Sequence, residues 1–174
     1  MCIRDRRASV HHRDEKKAVI AAAALAADAE DDDFVVGAPA MRPLPHLTGK
    51  RVLLTGGAGF IGSHVAEVLL ARGDEVLIVD EVNDYYDVRL KRMNLARLRH
   101  VWGESKVKIY EGDLCDEAFV AEIFANEAPL KRVVHLAARA GVRPSIADPF
   151  IYIQSNLTAT TRLLEACRKV GRID

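Results

Sequence analysis

The sequence predicts an α/β fold built on a parallel sheet, and three observations carry that prediction. Val52 to Leu54 and Val76 to Val79 are short, continuous apolar runs of the kind buried on both faces of a parallel sheet. A glycine-rich turn, Gly56-Gly57-Ala58-Gly59-Phe60-Ile61-Gly62, follows the first run at once. Between the turn and the second run, Ile61, Val65, Val68 and Leu69 recur with the period of a helix. Strand, turn, helix and strand in that order make a βαβ unit, whose crossover is right-handed in nearly every known case.

Each element follows from its residues. The first strand is expected over Arg51 to Thr55. Gly56 permits the tight turn out of it, Gly59 lets the backbone approach a pyrophosphate, and Gly62 lets the next helix pack close to the sheet. The unpaired N–H groups at that helix's start then face phosphate. Ile61, Val65, Val68 and Leu69 form its core-facing stripe, and Gly73 stops it. The second strand runs from Glu75 to Asp80, which stands about 20 residues beyond the turn, where a carboxylate accepts both ribose hydroxyls of an adenosine. An acid there repels a 2′-phosphate, so the cofactor expected is NAD rather than NADP.

Further strands are expected at Lys106 to Tyr110 and Arg132 to Leu136, with a helix at Glu117 to Ala125 between them. A long last helix spans about Pro149 to Val170, with Ile153, Leu157, Leu164 and Cys167 on its core side and Gly171 at its end. Right-handed crossovers give the order 3-2-1-4, a Rossmann-like doubly wound sheet truncated after the fourth strand and its helix.

The residues from Gly57 to Gly62 also satisfy the G-x-G-x-x-G spacing of other dinucleotide-binding proteins, while Gly62-Ser63-His64 lacks the Gly-Lys-Ser/Thr ending of a phosphate loop. Thr55-Gly56 discriminates. The run Thr55 to Gly62 resembles the T-G-x-x-G-x-x-G turn of the extended short-chain dehydrogenase/reductases. Glu111-Gly112-Asp113-Leu114 is similar to that family's Gly-Asp pair, and Val133-Val134-His135-Leu136-Ala137-Ala138 to its fourth strand and H-L-A-A turn.

The resemblance implies that Asp113 bonds the adenine amino group and that Leu114 lies against the ring. It further implies that Leu136, Ala137 and Ala138 pass under the nicotinamide half, that Phe60 and Ile61 belong to the cofactor turn, and that Asn156 holds the central helix to the active-site backbone. Within the family, Asn83-Asp84-Tyr85-Tyr86-Asp87 followed by Leu90-Lys91 resembles a segment of the UDP-glucuronate 4-epimerases, as does Ala138 to Ser145. Glu81 departs from the asparagine often found there.

Plainer readings stand beside several of these. Asp113 also suits a helix N-cap, His135 a strand histidine held by hydrogen bonds, and Tyr85 and Tyr86 packing aromatics. Arg143 is the candidate for a sugar-nucleotide phosphate or carboxylate, and equally a surface arginine.

A catalytic Tyr-x-x-x-Lys pair, which the resemblance implies on a later helix, is not present: Tyr85, Tyr86, Tyr110 and Tyr152 are followed four residues on by Arg89, Leu90, Leu114 and Asn156. The expectation is an N-terminal, NAD-binding part of a nucleotide-sugar epimerase, without catalytic residues of its own and inactive alone, whose complete form is a homodimer acting through a 4-keto sugar. A UDP-sugar decarboxylase or 4,6-dehydratase, and a non-catalytic NAD sensor or scaffold, are the alternatives.

Balanced charge, 25 basic against 25 acidic residues, offers no electrostatic case for nucleic acid. The three cysteines lack any Cys-x-x-Cys pair, so neither a disulfide framework nor a metal site is expected. Residues 1–48 read as a disordered or low-complexity leader before the domain at 49–174, with an alanine run too short to span a membrane and acids that argue against export. A cytoplasmic protein is expected.

Overall fold

Apolar strands must bury both their side chains and their backbone polar groups, and here one sheet between two helical layers meets both demands. The computed structural model describes residues 49–171 and residue 173. The expected leader lies outside these residues. Strands β1 (Arg51–Thr55), β2 (Glu75–Asp80), β3 (Val107–Glu111) and β4 (Arg132–His135) pair in parallel in the order β3-β2-β1-β4. That is the expected order. Three strand ends differ by a residue: β3 starts and stops one later, and β4 stops at His135, after which Leu136 N–H still donates to Thr55 O at 3.2 Å.

Alternation along each strand divides the core. Val52, Leu54, Val76 and Ile78 point to the face covered by α1 (Phe60–Ala71) and α2 (Val88–Trp102), where Ala66, Leu69, Leu70, Leu95 and Leu98 complete one buried cluster. Leu53, Leu77 and Val79 point to the other face. There they meet Val120, Ile123 and Phe124 of α3 (Glu117–Asn126) and Ala159 and Leu163 of α6 (Ala159–Val170). Burial on both sides is why the strands read as unbroken apolar runs.

Each helical stripe expected from the sequence holds only in part: Val65 and Leu69 of the first and Cys167 of the last pack on the core, and the other members do not. In α1 the buried residues are Gly62, Ser63, Ala66, Leu69, Leu70 and Ala71, while Ile61 is 67% and Val68 47% exposed. The helix is rotated by about one position relative to its most hydrophobic stripe. Gly62, on its inward side, packs so closely on the turn that a Cβ there would lie 2.0 Å from Gly56 O.

The last helix is interrupted. After two short helices, α4 (Val142–Ala147) and α5 (Pro149–Tyr152), residues Ile153–Thr158 form a π-helical segment that runs into α6. A wider turn shifts the phase of everything after it. Ile153 and Leu157, within that segment, and Leu164 beyond it are exposed, while the inward side is built from Ala159, Leu163, Ala166 and the expected Cys167. Gly171 ends the helix as expected, with φ +83°. Among the described residues no helix is long and apolar enough to cross a membrane, and no group of three His, Cys, Asp or Glu is placed to hold a metal ion.

Candidate functional site

The turn after β1 sits where the strand order reverses, since β2 lies on one side of β1 and β4 on the other. Gly56 has φ +73° and donates its N–H to Val79 O at 2.8 Å. A Cβ there would stand 2.7 Å from Ala137 N, so the backbone after β4 passes directly against the turn. Gly62 is more restricted still: its Cβ would lie 2.0 Å from Gly56 O. The close approach expected of Gly62 is therefore to the turn itself rather than to the sheet. Gly59, the N-cap of α1, has no such neighbour; its Cβ would meet Gly56 O at 3.3 Å and Tyr86 Oη at 3.7 Å. No side chain caps α1, so the N–H groups of its first turn have no side-chain acceptor.

A groove opens over this turn. It is lined by Gly56 and Gly59, by Asp80 at the end of β2, by Asp113 and Leu114 after β3, and by Leu136, Ala137 and Ala138 after β4. Residues from four strand ends are thus brought together at the crevice where open α/β sheets bind ligands. The remaining candidates lie outside its lining. Phe60 is 76% exposed on α1, Gly62 packs beneath the turn, Asn156 stands behind the loop after β4, and Arg143 is exposed on α4.

Asp80 ties the glycine turn to the loop after β2. Its Oδ2 accepts from Ala58 N–H at 3.0 Å and its Oδ1 from Val82 N–H at 2.9 Å, and each oxygen keeps a lone pair for a ligand. Val82 adopts φ +49°, an uncommon conformation for a β-branched residue, and thereby delivers that N–H. Asp113 does not cap α3. Asp116 does, accepting from Ala118 N–H at 2.9 Å and Phe119 N–H at 3.2 Å, while Asp113 Oδ1 accepts from Cys115 N–H at 2.8 Å. The plain reading of Asp113 as a cap is therefore corrected, and the residue is left facing the groove.

His135 is a structural histidine. Thr55 Oγ1 accepts from the N–H groups of Leu136 and Ala137, both at 3.2 Å, so its own proton is directed to His135 Nδ1 at 2.6 Å. Thr160 donates to Asn156 O at 2.6 Å and accepts from His135 Nε2 at 2.9 Å. This network assigns the proton to Nε2 of a neutral ring. Burial pushes the pKa of His135 below its ordinary value.

A folded-state value below the unfolded one means that the unfolded chain binds the proton first. The contribution of His135 to stability is complete above the unfolded value of about 6.5 and is lost as pH falls from there through the lower folded value. Melting curves should show the midpoint falling across this window, with a smaller fall in His135→Gln. Identical slopes for the two proteins would contradict the assignment.

Asn156 grips one residue by its backbone: Oδ1 accepts from Arg139 N–H at 2.8 Å and Nδ2 donates to Arg139 O at 3.0 Å. It lies in the π-helical segment, a helix irregularity frequent at functional sites. The side chain of Arg139 lines the groove, its Nε donating to Ser155 Oγ at 3.2 Å. Sequence reasoning selects Arg143 as the cationic candidate and misses Arg139. The available signal is its place beside the H-L-A-A turn.

The loop after β2 forms the groove's other wall. Lys91 Nζ donates to Asn83 O at 2.8 Å and Asn83 Oδ1 at 2.7 Å and lies 4.7 Å from the centre of the Tyr86 ring. Tyr85 Oη donates to Ala140 O at 2.5 Å, and Tyr152 Oη donates to the same carbonyl at 2.8 Å. Tyr85 and Tyr86 are thus wall-forming residues of the groove.

Comparisons with known proteins agree with this arrangement. Residues 53–174 match the model of a family described as GDP-mannose 4,6 dehydratase. UDP-glucuronate 4-epimerase 3 of Arabidopsis thaliana is 45% identical over 123 residues, which cover 71% of this chain and 27% of the relative. The UDP-glucuronate 4-epimerase of Thermodesulfobacterium geofontis is 44% identical over 119 residues, 68% of this chain and 36% of the relative. Among solved structures, UDP-glucose 4-epimerase from Bifidobacterium longum, in complex with NAD+ and UDP, superposes with a TM-score of 0.60 at 37% identity, over 69% of this chain and 34% of that one. The UDP-glucose 4-epimerase of Thermus thermophilus, in complex with NAD, gives 0.58 at 40% identity, over 70% and 34%.

The chain therefore spans between 27% and 36% of the length of these two curated relatives. The family match begins inside β1 and runs through α6. Turn, groove, most of β1 and the other three strands fall within it, and the chain accordingly belongs to the GDP-mannose 4,6 dehydratase family, among the nucleotide-sugar epimerases and dehydratases of the extended short-chain dehydrogenase/reductase type.

Proposed function

We propose that this chain supplies the NAD-binding part of a nucleotide-sugar epimerase whose substrate is UDP-glucuronate. The observation that carries the cofactor reading is the cradle over Gly59, a space that a side chain at this position would enter, bordered by the uncapped start of α1 and by Asp80. The residues fit the group. N–H groups of α1 would face the pyrophosphate, the remaining lone pairs of Asp80 would accept the ribose hydroxyls, Asp113 would take the adenine amino group, and Leu114 would hold its ring. The backbone of Leu136, Ala137 and Ala138 would support the nicotinamide half. Bound NAD would supply a reversible hydride acceptor for carbon 4 of the sugar. The chain's own part is to bind and orient.

Support for the substrate comes from the 45% identity to a UDP-glucuronate 4-epimerase and from the segment Asn83 to Asp87, which forms a wall of the groove. Calorimetry on this chain should show NAD binding at least about ten-fold tighter than NADP, about 1.4 kcal/mol, because Asp80 repels a 2′-phosphate. Product analysis on the whole enzyme should show UDP-glucuronate and UDP-galacturonate interconverting faster than the neutral sugars. Equal affinity for the two cofactors would end the first half of the reading. Release of carbon dioxide or water would reassign the second to a decarboxylase or dehydratase, and NAD binding without turnover to a sensor.

A further inference from the structure

The turn of β1 lies between the ends of β2 and β4. A side chain joining the loop after β2 to the loop after β4 therefore crosses the mouth of the crevice above that turn. Tyr85 does so through Ala140 O, and Arg139 does so by placing Nη2 4.0 Å from Glu81 Oε2.

Charge separates the two cations of the groove. Asp80, Glu81 and Asp113 line it as acids, Lys91 and Arg139 as bases, and a dinucleotide's pyrophosphate would bring further negative charge. Lys91 is committed to Asn83 and to the Tyr86 ring. Arg139 is not committed. Its side chain is 19% exposed, its Nε bonds Ser155, and its terminal nitrogens make no hydrogen bond among the described residues, because 4.0 Å to Glu81 is too long for one. The grip of Asn156 on its peptide fixes where the side chain begins. A largely buried guanidinium with an unfilled fork matches a phosphate oxygen pair.

We infer that Arg139 is the pyrophosphate ligand of this groove, held near Glu81 until the dinucleotide takes its fork. The inference rests on the reading of the groove as an NAD site. Asp80 and Asp113 hold the adenosine on the β2 and β3 side, so the group that passes over β1 within reach of a β4-borne arginine is the pyrophosphate. Glu81, 4.0 Å from Nη2, acts as the competitor for the same fork.

Calorimetric titration of the 174-residue chain with NAD, ADP and adenosine tests this. Arg139→Gln should weaken NAD and ADP about ten-fold or more and leave adenosine unchanged, with Arg139→Lys recovering part of the loss. Glu81→Gln should tighten NAD, and that gain should vanish when Arg139→Gln is also present. Unchanged NAD affinity in Arg139→Gln overturns the inference while leaving the NAD reading intact, as does an equal loss for adenosine. Absence of NAD binding by the unaltered chain overturns both. Where Arg139→Gln does not melt cooperatively, Glu81→Gln decides alone: unchanged or weaker NAD binding overturns the inference.

Discussion

Gly62→Ala should cost about 4 kcal/mol or more, enough to abolish cooperative melting in a domain of ordinary stability. The added methyl would stand 2.0 Å from Gly56 O and 2.8 Å from Gly57 Cα. Both obstacles are backbone. A flexible side chain could swing aside, but Gly56 is itself held by its N–H bond to Val79 O and by the passage of Ala137 behind it. Relief would require α1 to move off the turn, opening the cluster that Ala66, Leu69 and Leu70 form with β1 and β2. Gly59→Ala is the informative contrast. Its Cβ meets nothing closer than 3.3 Å and its φ is −70°, so melting should change by less than about 1 kcal/mol. On the proposed reading that same methyl enters the space of the pyrophosphate, and NAD affinity should fall. A Gly62→Ala protein that melts like the unaltered chain would show that the turn is built differently in solution.

Asn156→Ala should have the second-largest effect, about 2 to 4 kcal/mol, because it leaves the N–H and C=O of Arg139 without their partners. Asn156→Asp keeps the acceptor for Arg139 N–H but faces a carboxylate toward Arg139 O, so it should recover little of the loss. The loop after β4 would then no longer hold Arg139 in place, and NAD binding should weaken further than Arg139→Gln alone predicts from charge. Thermal melts of the two variants check the first claim, and NAD titration the second. Full stability in Asn156→Ala would mean that water replaces the amide and that the clamp does not position the loop.

The strand order and the groove's glycine frame were legible in the sequence because their causes are local. Continuous apolar runs mark strands buried on both faces, and right-handed crossovers leave one arrangement for four of them. The acid at Asp80 was legible too, since a strand of known length puts its last residue at the sheet's carboxyl edge. Helix faces were not. Hydropathy favours Ile61 and Val68, yet α1 presents Gly62 and Ala66 inward. Gly62 lies against the backbone of the turn, a contact that has no hydrophobic signature. In the last helix Ile153, Leu157 and Leu164 are all exposed, and the π-helical residues Ile153–Thr158 break the 3.6-residue count between them and the inward-facing Ala159 and Leu163.

What the sequence by itself determined is the sheet, the turn and the place of the acid at the end of β2. Tertiary structure alone decided which arginine lines the groove and which tyrosine spans it to the loop after β4. Tyr85 and Ala140 are 55 residues apart, and Arg139 and Glu81 meet only because β2 and β4 flank β1. Arg143, four positions on from Arg139, follows the loop onto α4 and faces outward. The physical reason is that local propensity fixes which residues form an element, whereas the pairing of charges across a crevice depends on the rotation of helices and the path of loops. Those are set by contacts between residues remote in the chain.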